Sequence, residues 1–263
     1  MIGQSKLLSI LCSTDYKSLP ASILLIAKNG MGKHTLVKEV SNHYNIPLLD
    51  ITNNLNMEQI IEISTSSIDR IYLIDISKIT EKEQNVILKF VEEPTPTTHI
   101  FLLAESEDFV LDTIKNRCIK YYLEAYTKEE LSQFVVQKES QEEILSVCKT
   151  PFQVQNINAD TISNMKSTCE KMLTSLSEKT IYLYNALDIV DKVNFKDDYD
   201  KYDLDIFINI MLAFFSKNYT LYNKERAFKF IKVISKYRDY LLNTNKFNKQ
   251  YLFERMIIEM WED

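Results

Sequence analysis

The tetrad Gly30-Met31-Gly32-Lys33 comes just after an apolar run, Ser22-Ile23-Leu24-Leu25-Ile26, and opens a helical pattern that runs from His34 to Tyr44. Between a buried strand and a helix, two glycines let backbone N–H groups turn toward a phosphate. A lysine then neutralises the phosphate charge, and the helix N-terminus adds a favourable dipole. The chemistry this pattern points to is the holding of a nucleotide's phosphates. The full spacing G-x-x-x-x-G-K-[ST] is not met. Ala27 stands for the first glycine, His34 takes the place of the hydroxyl that would hold magnesium, and Thr35 comes one residue late, facing elsewhere around the helix. The plainer alternative is a strand-to-helix turn that merely needs two glycines. Asp75 closes a second apolar run, Arg70 to Ile74. A carboxylate there can hold magnesium opposite a phosphate loop, or it can simply cap the turn that follows the strand. Ile76 comes next, and an isoleucine cannot take a proton, so a general base is missing at that position.

These groups need a sheet to position them. Ser22–Ile26, Ile46–Ile51, Arg70–Asp75 and His99–Leu103 read as strands, and the uninterrupted apolarity of the third marks burial on both faces. Helical patterns alternate with them: His34–Tyr44, about Met57–Ser64, and Thr80–Glu93, where Thr80 and Glu83 stand at capping-box spacing and Pro94 stops the helix. Alternation of this kind implies an α/β unit with a parallel sheet flanked by helices. After Tyr122 only helices are expected: Thr127–Gln137, Gln141–Val147, one beginning at Pro151 and a long one from about Thr161. Asp188–Asp203, dense in Asp and Lys, reads as a solvated connection. Beyond it, Ile206, Phe207, Ile210, Met211, Phe214 and Phe215 form one helical core stripe, and Phe228, Ile231, Ile234 and Leu241 another.

Composition bounds the rest. A chain of 263 residues accommodates two or three compact units. With a net charge of -6 it does not grip DNA through its own overall field, so contact with nucleic acid would be local or shared with partners. Cys12, Cys118, Cys148 and Cys169 show no CxxC spacing, which argues against both a zinc site and a disulfide framework and fits a reducing cytoplasm. No apolar run is long enough to cross a bilayer, and the expectation is a soluble cytoplasmic protein with no membrane partner. Only three glycines occur, where average usage of about 7% would give many more. Each is therefore expected where the backbone requires it.

Several segments together resemble the AAA+ clamp-loader subunits of bacterial DNA polymerase III, in particular the delta-prime type. Ile2-Gly3-Gln4 is similar to the I-G-Q that opens their ATPase domains. Ile74-Asp75 and Gln84-Asn85-Val86-Ile87-Leu88-Lys89-Phe90-Val91-Glu92-Glu93-Pro94 resemble their I-D-E-A and Q-N-A-L-L-K-x-L-E-E-P segments. Thr113-Ile114-Lys115-Asn116-Arg117-Cys118 looks like their T-I-x-S-R-C motif. More weakly, Asn243-Thr244-Asn245 and Leu252-Phe253-Glu254 match elements of their collar domain.

The resemblance implies a RecA-like AAA+ domain over residues 1–124, a small helical lid over 125–162 and an all-α collar over 163–263 that holds subunits in a ring. It implies that Arg117 acts in trans as an arginine finger on a neighbour's ATP, a task suited to a fixed, permanently charged fork. Simple pairing of Arg117 with a surface carboxylate is the bland alternative. The departures gather at the chain's own nucleotide site. His34 and Ile76 are two; Ala104 and Glu105 occupy the place of a phosphate-sensing polar residue, and Pro151-Phe152-Gln153 lacks the arginine that follows the lid proline in active members. The zinc-binding cysteines of many bacterial relatives are also missing between His34 and Ile46. The expectation is a subunit that does not hydrolyse ATP, whose Gly30, Gly32 and Lys33 leave room for weak ATP/Mg binding. The alternative is an ATP-hydrolysing subunit with an unorthodox site built on Lys33, Thr35 and Asp75. The implied partners are ATPase subunits and a delta-like subunit held through the collar, a sliding clamp, and primer-template DNA within the assembled ring.

Overall fold

The computed structural model describes residues 2–13, 15–53, 55, 68–178, 183–195, 202–218, 224–243 and 248–262. They divide into two compact units, Met1–Phe134 with Thr150–Gln153, and Val135–Lys149 with Val154–Asp263. Of the segment expected as a lid, 125–134 and 150–153 therefore go with the first unit and the remainder with the second.

The first unit is built on five parallel strands, β1 (Ser22–Ile26), β2 (Leu48–Asp50), β3 (Arg70–Asp75), β4 (Thr98–Ala104) and β5 (Ile119–Tyr122), in the order β2-β3-β4-β1-β5. Its helices are α1 (Ser5–Cys12), α2 (Lys33–Tyr44), α3 (Glu81–Glu92), α4 (Asp112–Lys115) and α5 (Lys128–Ser132). β1 shows why its sequence has no polar alternation. Ile23 and Leu25 enter one core with Leu36, Val37 and Val40 of α2, while Leu24 and Ile26 enter the opposite core with Ile87, Phe90 and Val91 of α3. Each such side chain contributes roughly 1.5–3 kcal/mol of burial, so both faces of the strand are fixed. α3 begins with the expected capping box: the Glu83 amide donates to the Thr80 hydroxyl (3.3 Å) and the Thr80 amide donates to the Glu83 carboxylate (2.7 Å).

In the second unit the helices are α6 (Gln141–Val147), the end of α7 (Pro151–Asn156), α8 (Ala159–Glu178), α9 (Leu183–Leu187), α10 (Leu204–Asn218), α11 (Lys224–Asn243) and α12 (Lys249–Glu262). Phe207 of α10 meets Phe253 of α12 with centroids 6.2 Å apart, and Phe215 of α10 meets Phe230 of α11 at 5.4 Å, both edge-on as ring quadrupoles prefer.

Several expectations need correction. The helix expected from Thr127 to Gln137 is only Lys128–Ser132. β5 went unrecognised, because its edge position leaves Ile119 and Tyr122 exposed and no apolar run marks it. Phe228 is 70% exposed; the buried face of α11 is Ala227, Phe230, Val233, Ile234, Tyr237 and Leu241. The stretch read as a solvated connection contains buried Ile189, Val190 and Val193, and Val193–Asn194 pairs with Tyr202–Asp203. The helix expected near Met57–Ser64 and most of the Asn243-Thr244-Asn245 element lie outside the described residues.

Candidate functional site

In an open parallel sheet the binding crevice lies beyond the strand C-termini, where the strand order reverses. Here that point is β1, flanked by β4 and β5, and the loop leaving it is Ala27–Lys33. Gly30 (φ 78°) and Gly32 (φ 87°) are left-handed, which side chains other than glycine rarely adopt, and Gly32 is the N-cap of α2. Gly30 has a second reason to be glycine: a Cβ there would come within 2.7 Å of Phe152 Cβ and 2.8 Å of Thr150 Oγ1. The Phe152 amide donates to the Gly30 carbonyl at 3.4 Å.

Lys33 is buried, and its ammonium donates to the carbonyls of Ala27 and, at 3.1 Å, Lys28. Burial pushes its pKa down, while the carboxylates of Glu105 and Asp75 oppose that shift. Glu105 follows β4, and its amide donates to the Ser77 hydroxyl at 3.3 Å.

Asp75 ends β3 and is buried. Its Oδ1 accepts the Ser77 amide at 3.1 Å, so the carboxylate caps the single 3-10 turn Ile76–Lys78, the bland role weighed from the sequence. Its Oδ2 lies 3.6 Å from Lys78 Nζ, an ion-pair distance, and 3.9 Å from His34 Nε2, both too long for a hydrogen bond. Burial raises the carboxyl's pKa, but His34, Lys78 and the Ser77 amide outweigh it and hold the group below its ordinary value. Thr35 is exposed on α2, and Ile76 is buried. These residues fit a phosphate at the loop but not a divalent cation at Asp75, because an imidazole replaces the ligand hydroxyl and an ammonium already lies beside the carboxylate. Among the described residues no cluster of three or more His, Cys, Asp or Glu could hold a metal ion.

Elsewhere in the same unit, Arg117 lies in the short link between α4 and β5. Its Nη2 lies 2.8 Å from Glu92 Oε1 and its Nη1 donates to the Thr113 carbonyl at 2.7 Å, yet the side chain remains 40% exposed. The buried Gln84 side chain fixes the approach to α4, donating to the Phe109 carbonyl (2.7 Å) and accepting from the Leu111 amide (3.0 Å). Cys118 is no nucleophile here, since burial pushes its thiol up to about 12.

A model of the family described as DNA polymerase III, delta subunit, matches residues 50–127, a span that contains Asp75, Ile76, Gln84, Glu92, Glu105 and Arg117. The chain is similar to the clamp-loader subunits of DNA polymerase III. The match lies wholly within the sheet unit and begins after the phosphate loop. Among solved structures, a DNA polymerase III gamma subunit-related protein of Thermotoga maritima superposes with a TM-score of 0.50 at 15% identity, covering 99% of each chain. At that identity the likeness speaks to the fold alone: a parallel sheet flanked by helices, then a helical C-terminal region. The T. maritima Holliday junction branch migration motor RuvB aligns at a TM-score of 0.48 and 16% identity, over 84% of this chain and 77% of that one. No curated protein sequence matches the chain.

The structure thus brings Lys33, Gly30, Gly32 and Asp75 to one end of the sheet, leaves Thr35 on the surface, and ties Arg117 to Glu92. Sequence reasoning missed Lys78, Glu92 as the arginine's partner, and Thr150 with Phe152. Lys78 was open to discovery, because a carboxylate and a lysine three residues apart meet once the chain turns helically. Nothing local signalled the other two contacts.

Proposed function

We propose that this chain is a delta-prime-like clamp-loader subunit that does not hydrolyse ATP and that lends Arg117 to the nucleotide site of a neighbouring ATPase subunit. The observation that carries this reading is the contrast at the two cations. Lys33 is internalised on its own loop and a buried isoleucine follows Asp75 where a base would stand, whereas the Arg117 side chain stays 40% exposed, held by the exposed Glu92 carboxylate and the Thr113 carbonyl. A guanidinium so placed can exchange Glu92 for the developing charge on a transferring phosphoryl group at little cost.

On this reading residues 125–162 act as a lid and 163–263 as a collar that joins the other loader subunits, and the assembled ring places a sliding clamp on primer-template DNA. The test is steady-state ATPase of the loader reconstituted with its partners. Arg117→Ala in this chain is expected to cut turnover by roughly the 10³ to 10⁵ ascribed to arginine fingers at each site it serves. Lys33→Ala is expected to leave turnover nearly intact; a comparable loss from Lys33→Ala would mean that the chain hydrolyses ATP itself.

A further inference from the structure

The magnesium place at Asp75 is taken by the chain's own side chains. Lys78 lies 3.6 Å from Oδ2, His34 lies 3.9 Å from the same oxygen, and Oδ1 is engaged by the Ser77 amide. The carboxylate's own amide is secured from the other side by the Thr52 hydroxyl at 2.9 Å, so Asp75 cannot readily turn away from these partners. We propose that Lys78, as a built-in counter-charge on Asp75, and the His34 imidazole, standing where a ligand hydroxyl would be, close the divalent-cation position, so that the phosphate loop takes a polyphosphate without metal.

This rests on reading the loop as a phosphate site that does no hydrolysis, and three features support the metal-free form. First, the loop keeps the two left-handed glycines and the lysine of a phosphate cradle. Second, segment 150–152 docks on the Gly30 carbonyl, through the Phe152 amide. Phosphate is bound by loop amides, so a docked carbonyl does not compete with it. Third, the Lys33 ammonium donates hydrogen bonds to two backbone carbonyls, neutral acceptors that an incoming phosphate oxygen outbids through charge. In an ordinary phosphate loop the divalent ion screens the triphosphate from the strand-end carboxylate. Here Lys78 already screens Asp75, and a dication placed beside it would meet that ammonium at short range. Besides Asp75, Glu105 acts on Lys33, and an anion there repels a phosphate.

The test is equilibrium binding of ATP, and separately of inorganic tripolyphosphate, to the full isolated chain in EDTA and in magnesium, by calorimetry. Both ligands are expected to bind in EDTA, with magnesium changing the affinity by no more than about twofold. Lys78→Ala, at an exposed position that leaves the fold intact, is expected to weaken binding in EDTA about fivefold, the loss of one charge at close range. His34→Thr combined with Lys78→Ala restores a hydroxyl and frees Asp75, and is expected to make binding about tenfold tighter with magnesium than without. Absence of binding in EDTA, or a wild-type chain that binds tenfold tighter with magnesium, overturns the proposal. Because no partner subunit is present, these outcomes are independent of whether Arg117 serves a neighbour.

Discussion

Lys33 and Arg117 belong to the same sheet unit, and the fold treats them oppositely. Lys33 is drawn inward until neutral carbonyls hold its ammonium and burial lowers its pKa. Arg117 rests against Glu92 at a surface where both side chains are 40% exposed. Taking a charge out of water and anchoring it on backbone carbonyls alone makes it structural, whereas a guanidinium left partly in water, with the Thr113 carbonyl on one nitrogen and the exposed Glu92 carboxylate on another, keeps one displaceable partner. The same contrast extends to the surroundings: the Phe152 amide donates to the Gly30 carbonyl of the phosphate loop, and two hydrogen bonds of Gln84 hold the loop before α4.

The largest effect should come from disturbing the phosphate loop. Gly30→Ala forces a side chain into left-handed backbone and against Thr150 and Phe152, and is expected to cost on the order of 2–4 kcal/mol, read as a lowered denaturant midpoint. A neutral result would mean that 150–152 moves aside freely and that the loop is no more firmly held than Arg117.

Next is the acid limb of stability. Because the folded state holds the Asp75 carboxyl below its ordinary value of 3.8, the unfolded chain binds the proton more readily. The contribution is therefore complete above about 3.8 and is lost as pH falls through the lowered folded value. Asp75→Asn should flatten that limb in urea titrations taken at successive pH values. An unchanged limb would show that Lys78 and His34 do not stabilise the carboxylate.

The smallest effect is expected at the arginine. Glu92→Gln should cost at most about 1 kcal/mol, as exposed ion pairs do, and turnover by the reconstituted partners should persist. Were Glu92→Gln to abolish turnover as Arg117→Ala is expected to, the pair rather than the guanidinium would be the working unit, and the contrast with Lys33 would narrow.

The double-faced strands β1, β3 and β4 were legible because burial on both sides writes itself as an unbroken apolar run. The capping box of α3 was legible because two residues at fixed spacing make two specific hydrogen bonds. The edge strand β5 and the helix α1 were not. β5 is Ile119-Lys120-Tyr121-Tyr122, with Lys120 and Tyr122 turned to Glu107, and α1 buries only Leu7 and Leu11, too few for a periodic signal. In the candidate site, the loop glycines, Lys33 and Asp75 declared themselves by type and spacing. What each of them touches depended on residues distant in sequence, as with Arg117 and Glu92 or Gly30 and Phe152, whereas the Asp75–Lys78 pair was within reach of its three-residue spacing.

Asn45 adopts a left-handed backbone (φ 55°) at the end of α2, where its amide reaches back to Asn42 and Ser41, and it does so without being glycine. Torsion alone, then, is not what reserves a position for glycine in this glycine-poor chain. At Gly30 the reservation comes from the neighbours that would collide with a methyl group. For anyone interpreting natural variants of this chain, two sites that share a positive φ carry different consequences: Asn45→Gly is expected to be a benign exchange and Gly30→Asn a damaging one.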